Sequence, residues 1–222
     1  MNEKESLKFI KKVFKSIERS KSIDDLNNIL NFPEIPKKNI IKTDSYPKIE
    51  FSITENEIQQ LIDNGFLDDE LNFHKDITKK IENSLTKLFY ATAWKNGDLK
   101  KMRHIIRGIM DAEKDKDEQD NALVFYQFGK YLTKTKGQPI IDQHVIRAFA
   151  LYKEKEIDFN IEQIRKIESL EKKHKSIIKA FKKWLTSENL TKELMKIKDY
   201  TYYIDKVLFA VGKTIKLKKN YV

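Results

Sequence analysis

Apolar residues recur at helical spacing along most of the chain. Leu7, Ile10, Phe14 and Ile17 stand at i, i+3, i+7 and i+10, with Val13 beside them. They form one stripe on a helix over residues 4–19, opposite Lys8, Lys11, Lys12, Lys15 and Arg19. That stripe predicts a helix docked on the protein rather than on a membrane. A short helix over about 23–30 follows, and Pro33, Pro36 and Pro47 then punctuate a mostly extended connection through residues 31–50. Thr54 with Glu57 three positions on forms a capping box ahead of Ile58, Leu61 and Ile62, and Asn64-Gly65 stops that helix.

From about residue 75 the pattern is almost continuously helical. Ile77, Ile81, Leu85, Leu88 and Phe89 make a stripe running to Trp94 and ending at Asn96-Gly97. Asp98 is expected to cap a helix carrying Leu99, Met102, Ile105, Ile106 and Ile109. Further helices are expected over about 121–133 and 142–154, and one long helix over 160–185. A short one capped by Ser187 and an aromatic-rich closing helix over 199–213 complete the series. Lys48–Ile53 is the only strand-like alternation, and no period of 20–50 residues marks a solenoid. The expected fold is all-α: a multi-helix domain over residues 52–222, preceded by an N-terminal helical arm and proline-containing connection over 1–51.

Composition narrows the chemistry. The 222 residues include no Cys, 6 Gly and 4 Pro. Disulfide frameworks, Cys-ligated metals and thiol nucleophiles are excluded, and turn-dense β architecture is disfavoured. The absence of H-x-x-x-H or H-E-x-x-H spacing among His74, His104 and His174 predicts no metal site. Neither a phosphate-binding glycine loop nor a nucleophile elbow is present, so no cofactor is expected. No apolar run approaches the ~20 residues that span a bilayer. The opening MNEKESLKFI has acids and no apolar core, unlike a secretory signal, and the expected location is cytoplasmic.

Lys and Arg total 44 against 34 Asp and Glu, a net +10. Only five of the 44 are Arg, the residue best suited to bidentate phosphate and guanine contacts. The excess points to an anionic partner without naming a sequence reader. It is unevenly spread. Residues 111–120 hold six acids and two lysines, whereas residues 165–183 carry Arg165, Lys166, Lys172, Lys173, Lys175, Lys179, Lys182 and Lys183 against Glu168 and Glu171. The tail adds Lys213, Lys216, Lys218 and Lys219. These lysines are candidate contacts to a nucleic-acid backbone, or a solvated face.

One acid stands out. Asp142 follows the apolar pair Ile140-Ile141 at a predicted helix start. The helix amides favour its ionised form by roughly 0.3–1 kcal/mol when exposed, while apolar neighbours oppose ionisation. Read from the residues alone, Asp142 is either a helix cap or a carboxylate placed to act as a general base or to stabilise a developing cation. His144 is a structural histidine or a catalyst, and Arg147 an ion-pair partner or a phosphate contact. Trp94 and the aromatic set Phe125, Tyr126, Phe128 and Tyr131 pack a core or offer stacking surfaces.

The run Ile140-Ile141-Asp142-Gln143-His144-Val145-Ile146-Arg147 resembles the segment carrying the essential aspartate of helix-hairpin-helix base-excision DNA glycosylases. Residues 121–132 fall where the second hairpin helix of that family lies, and residues 203–213 resemble its final core helix. The acidic stretch 111–120 stands where the family has a glycine-rich turn. The resemblance implies a DNA-binding DNA-repair enzyme in which Asp142 assists N-glycosidic cleavage of a flipped nucleotide. Val124 falls near the position of the lysine of lyase-type members, which implies a monofunctional enzyme. The binding residues expected with it are Lys130, Arg147, Lys172, Lys173, Lys175, Lys179, Lys182 and Lys183. The alternative is a non-enzymatic helical module that binds nucleic acid or a protein partner through the Lys-rich helix and tail.

Overall fold

The computed structural model describes residues 1–44, 47–112 and 120–217. In chain order its α-helices are α1 (Glu3–Arg19), α2 (Ile23–Ile29), α3 (Glu55–Asp63), α4 (Ile77–Lys80), α5 (Ser84–Lys95) and α6 (Leu99–Met110), then α7 (Leu123–Leu132), α8 (Gln143–Tyr152), α9 (Ile161–Arg165), α10 (Lys175–Leu185), α11 (Lys192–Met195) and α12 (Tyr200–Ile215). Single 3-10 turns stand at Lys37–Asn39 and Lys172–His174. The fold is all-α. No strand occurs among the described residues, only an isolated bridge between Leu67 and Phe73. None of the described helices is long and apolar enough to cross a membrane.

Two compact units divide the chain, and the division is not the expected one. The first joins residues 1–49 to 139–222; the second is residues 50–138. The N-terminal segment is therefore no separate arm. Its apolar stripe is the reason: Phe9, Ile10, Val13, Phe14 and Ile17 are all buried. The Phe14 ring stacks on Tyr152 at 4.0 Å and lies 5.1 Å from Trp184. Glu18, at the end of that stripe, accepts from the Tyr152 hydroxyl (2.9 Å) and Trp184 Nε1 (3.3 Å). Burial together with that acid pushes the Tyr152 phenol up to about 12.

At the centre of the first unit α8 buries every side chain from Val145 to Leu151. It crosses α12 so closely that a Cβ on Gly212 would fall 1.9 Å from the His144 carbonyl oxygen. The expected long helix over 160–185 is broken into α9, a 3-10 turn and α10. Residues 166–171 leave helical geometry where the Ile167 carbonyl turns inward to the Arg147 guanidinium. Thr191 rather than Ser187 caps the short helix that follows, α11.

In the second unit α3 opens on the Thr54–Glu57 capping box and closes at Asn64-Gly65, with Gly65 at φ 65°. Residues 48–53 form no strand, although Ile53 N donates to Leu132 O at 3.0 Å. The stripe from Ile77 to Trp94 is interrupted because Asn83 takes the Leu85 and Thr86 amides and starts a new helix. The new helix, α5, buries none of its residues, and Trp94 is 67% exposed and packs no core. Asp98 stands at the N-cap of α6 but makes no side-chain cap bond. Most of the acidic stretch 111–120 lies outside the described residues.

The firmest contact in this unit is α6 on α7. A Cβ on Gly108 would sit 2.0 Å from Tyr126 O, and one on Gly129 2.0 Å from Ile105 O. Both glycines bring backbone against backbone, so no rotamer change makes room for a methyl group. Gly129→Ala is expected to destabilise the second unit by about 1–3 kcal/mol, as overpacking does. A lower urea midpoint checks this; an unchanged midpoint would mean that the two helices separate freely.

Candidate functional site

Asp142 is the N-cap of α8. Its Oδ1 accepts from His144 N at 2.7 Å and Val145 N at 2.8 Å. These bonds occupy two of the amides that a helix start leaves unpaired, and they fix the carboxylate's direction. Among the described residues Oδ2 receives no hydrogen bond. Burial raises the carboxyl above its usual range, while the two amides and the Arg147 charge pull it back. The side chain is half-buried. It thus has one oxygen committed to the helix and one uncommitted, in a setting less polar than water.

Behind it lies a chain of buried polar groups. Arg147 has no exposed surface. Its Nη1 donates to Gly212 O at 2.8 Å and meets His144 Nδ1 at 2.7 Å, and its Nη2 donates to Ile167 O. A guanidinium only donates, so His144 Nδ1 is the acceptor and the imidazole proton sits on Nε2. Burial and the neighbouring Arg147 push His144 down to about 4, so it is neutral at pH 7. Burial lowers Arg147 only to about 10, and it stays charged. His144 packs edge-on against Phe209 at 4.9 Å. It is an orienting acceptor rather than an acid.

Asp205, on α12, closes the group. It is buried, its Oδ2 accepts from Ile140 N at 2.8 Å, and its Oδ1 is buried with no hydrogen-bond partner. Burial foremost, and then the Asp142 charge, raise this carboxyl well above its ordinary 3.8. Sequence reading passed over Asp205, because its spacing in an aromatic helix resembles any solvent-facing acid. The only signal was that Asp205 lies between Ile204 and Val207–Ala210 on a helix expected to be core.

The expected binding residues separate into two groups. Arg147 and Lys130 do not reach the surface. Arg147 is consumed by backbone carbonyls, and the Lys130 ammonium lies 5.0 Å from the Tyr126 ring centroid. Neither is placed to meet a phosphate. Lys172, Lys173, Lys179 and Lys183 are exposed, and Lys175 and Lys182 are half-exposed. Lys173 pairs with Glu171 at 3.0 Å. On α10 these lysines stand opposite the buried Ile177, Ile178, Phe181, Trp184 and Leu185. Lys218 and Lys219 of the tail lie outside the described residues.

A second basic face, on α1, lies outside the expected binding residues. Lys4, Lys8, Lys11, Lys15 and Arg19 are exposed along α1, with Lys12 paired to Glu34 at 3.0 Å. Counted by unit, the first holds 30 basic against 18 acidic residues, a net +12, and the second 14 against 16, a net −2. The whole of the positive excess belongs to the unit that contains Asp142. No group of three or more His, Asp or Glu side chains suited to a metal ion occurs among the described residues.

Asp205 gives a pH signature. Its protonated form is favoured by folding, so the stability it lends is complete below about pH 4 and is lost as pH rises through its raised folded value. Asp205→Asn lacks that titration. Relative to wild type it is expected to gain stability as pH rises above about 4, followed by urea midpoints. Parallel pH profiles would mean that the carboxyl ionises in place without cost.

No protein-family model, curated protein or solved structure matches the chain.

Proposed function

We propose that the protein binds DNA through its first unit and acts there as a monofunctional base-excision glycosylase, with Asp142 as the reacting carboxylate. The observation that carries this reading is the division of labour within one side chain. Oδ1 is tied to two α8 amides, while Oδ2 is left for a substrate or a water. A carboxylate fixed in this way stabilises oxocarbenium character at the sugar C1′ as the bond to the base breaks, or takes a proton from the attacking water. Arg147 holds His144 and the α8–α12 crossing from behind, and its charge keeps Asp142 from drifting further towards the protonated form.

Two further features support the reading. The segments that carry the family resemblance are helices in the expected order: α7 before Asp142, and α12 packed on the helix that Asp142 caps. The +12 of the first unit supplies the field that a polyanion needs. That same charge favours the second reading, a nucleic-acid-binding module with no chemistry at Asp142.

Asp142→Asn separates the two, because an asparagine oxygen still caps the helix while the negative charge is lost. Across a panel of damaged and mispaired duplexes, wild type is expected to release a base from at least one substrate. The variant should be slower by at least ~10²-fold, the usual scale for losing a positioned acid–base group. Its urea midpoint and duplex affinity should be retained. Duplex affinity should also fall steeply with salt. No release from any duplex, with salt-sensitive binding intact, would leave the binding module; salt-insensitive or absent binding would remove nucleic acid altogether.

A further inference from the structure

Helix α5 is joined to the rest of the second unit along one edge. Only Tyr90 and Ala93 are half-buried, and the Tyr90 ring stands edge-on to Phe73 at 5.8 Å. Asn83 caps the first turn and Gly97, at φ 70°, follows the last, so α5 is a complete helix. Its Leu85, Leu88 and Phe89 are nevertheless 59%, 62% and 64% exposed. With Thr92 and Lys95 they stand at i, i+3, i+4, i+7 and i+10, one stripe along the helix. Thr92 Oγ1 donates to Leu88 O at 2.9 Å, so its hydroxyl is satisfied when the stripe is covered. Neither Leu85 nor Leu88 lines the cavity of about 700 Å³ on the inner side of α5, so a ligand held there would leave both in water. A contiguous apolar stripe of this kind marks an interaction surface.

The charges at its two ends say what covers it. Glu82 stands just before α5 and Lys95 is its last residue; both are exposed, and neither makes an ion pair among the described residues. Lys87, the other charged residue of α5, points away from the stripe. Opposite charges at opposite ends of one helix make it complementary to an antiparallel copy of itself, in which the helix dipoles also oppose. In the register that sets Leu88 against Phe89 of a second copy, Leu85 meets Thr92 and Glu82 meets Lys95. Two-fold symmetry makes each of these contacts twice. The apolar stripe and the end charges thus select the same register independently, which points to a second copy of this chain rather than to a foreign partner.

We propose that two copies of the chain associate through an antiparallel α5–α5 contact, with Leu85, Leu88 and Phe89 interleaved at the two-fold axis and Glu82 of each copy paired with Lys95 of the other. The surface lies wholly within the second unit and does not rest on the proposed function of the first. Two twelve-residue helices, each about 18 Å long, make a small interface, so the dimer is weak and forms in the micromolar range.

Sedimentation velocity of the full chain at low salt tests this, over a series from about 1 to about 100 µM, where a small interface is measurable. Wild type is expected to pass from monomer to dimer and no further. Leu88→Lys should weaken association at least ~10-fold, and Glu82→Lys, which sets lysine against lysine at both ends, at least ~3-fold. The double variant Glu82→Lys, Lys95→Glu exchanges the two charges and should restore the wild-type constant. Trp94→Ser, equally exposed but on the side of α5 away from the stripe, should change nothing. All four variants alter exposed side chains, and unchanged urea midpoints at monomer concentrations would show that each is folded. A chain that stays monomeric throughout overturns the proposal and leaves the stripe to another protein or to an apolar ligand. It is equally overturned by growth beyond the dimer, by an unaffected Leu88→Lys variant, by a Trp94→Ser variant weakened as much as Leu88→Lys, or by a charge exchange that fails to restore association.

Discussion

The crossing of α8 and α12 is the contact on which the first unit depends. Gly212 lets the two backbones meet at the His144 carbonyl, where any side chain would collide. That proximity brings the Gly212 carbonyl within reach of Arg147, and Arg147 in turn reaches Ile167 and His144. A buried guanidinium is costly unless its donors are occupied. Here two of them go to backbone carbonyls and one to His144, although Nε is buried without a hydrogen-bond partner. Removing the guanidinium would leave buried carbonyls unpaired, at roughly 1–3 kcal/mol each. The direction of α8, and with it the orientation of Asp142, is thus set from behind by a cation the solvent never meets.

Arginine is used inward at two of this unit's three positions. Arg165 is also buried, with Nε donating to Ile215 O at 2.9 Å and Nη2 to Met1 O at 2.7 Å. Gly212 and Ile215 both lie in the last turn of α12, where helix carbonyls have no intrahelical partner and a positive charge is favoured. Two of the five arginines therefore close a helix end instead of reading phosphate. The solvent-facing positive charge is carried by lysine, along α1 and α10. Lysine acts as a point charge, which suits attraction to a backbone over recognition of a base. Any specificity would have to come from chemistry near Asp142 rather than from the basic faces.

Local signals were legible in the sequence, and long-range ones were not. The Thr54–Glu57 box, the Asn64-Gly65 stop and the α1 stripe depend on residues within one or two turns, and the structure reproduces each. Asp142 at the start of α8 is of the same kind. The break at residues 166–171 is different, because it depends on Arg147, 20 residues away. The burial of Arg147 depends on Gly212, 65 residues away, and the Asp205 bond to Ile140 spans the same distance. The inclusion of α1 in the core was half-legible. Its stripe announced docking, but nothing local revealed that residues 139–222 would receive it. The exposure of α5 was hidden for the opposite reason, since a strong apolar stripe reads as core whether or not anything covers it.

The central proposal is that the first unit meets DNA through its lysine faces and that Asp142, at the start of α8, is the reacting carboxylate. Amide chemical-shift mapping of the full chain, titrated with a short duplex bearing an abasic-site analogue, tests it most directly. The account predicts perturbations along α1 and α10 and at the Asp142–Val145 turn, with the second unit silent. Shifts confined to the second unit, or none at the α8 N-terminus, would contradict it.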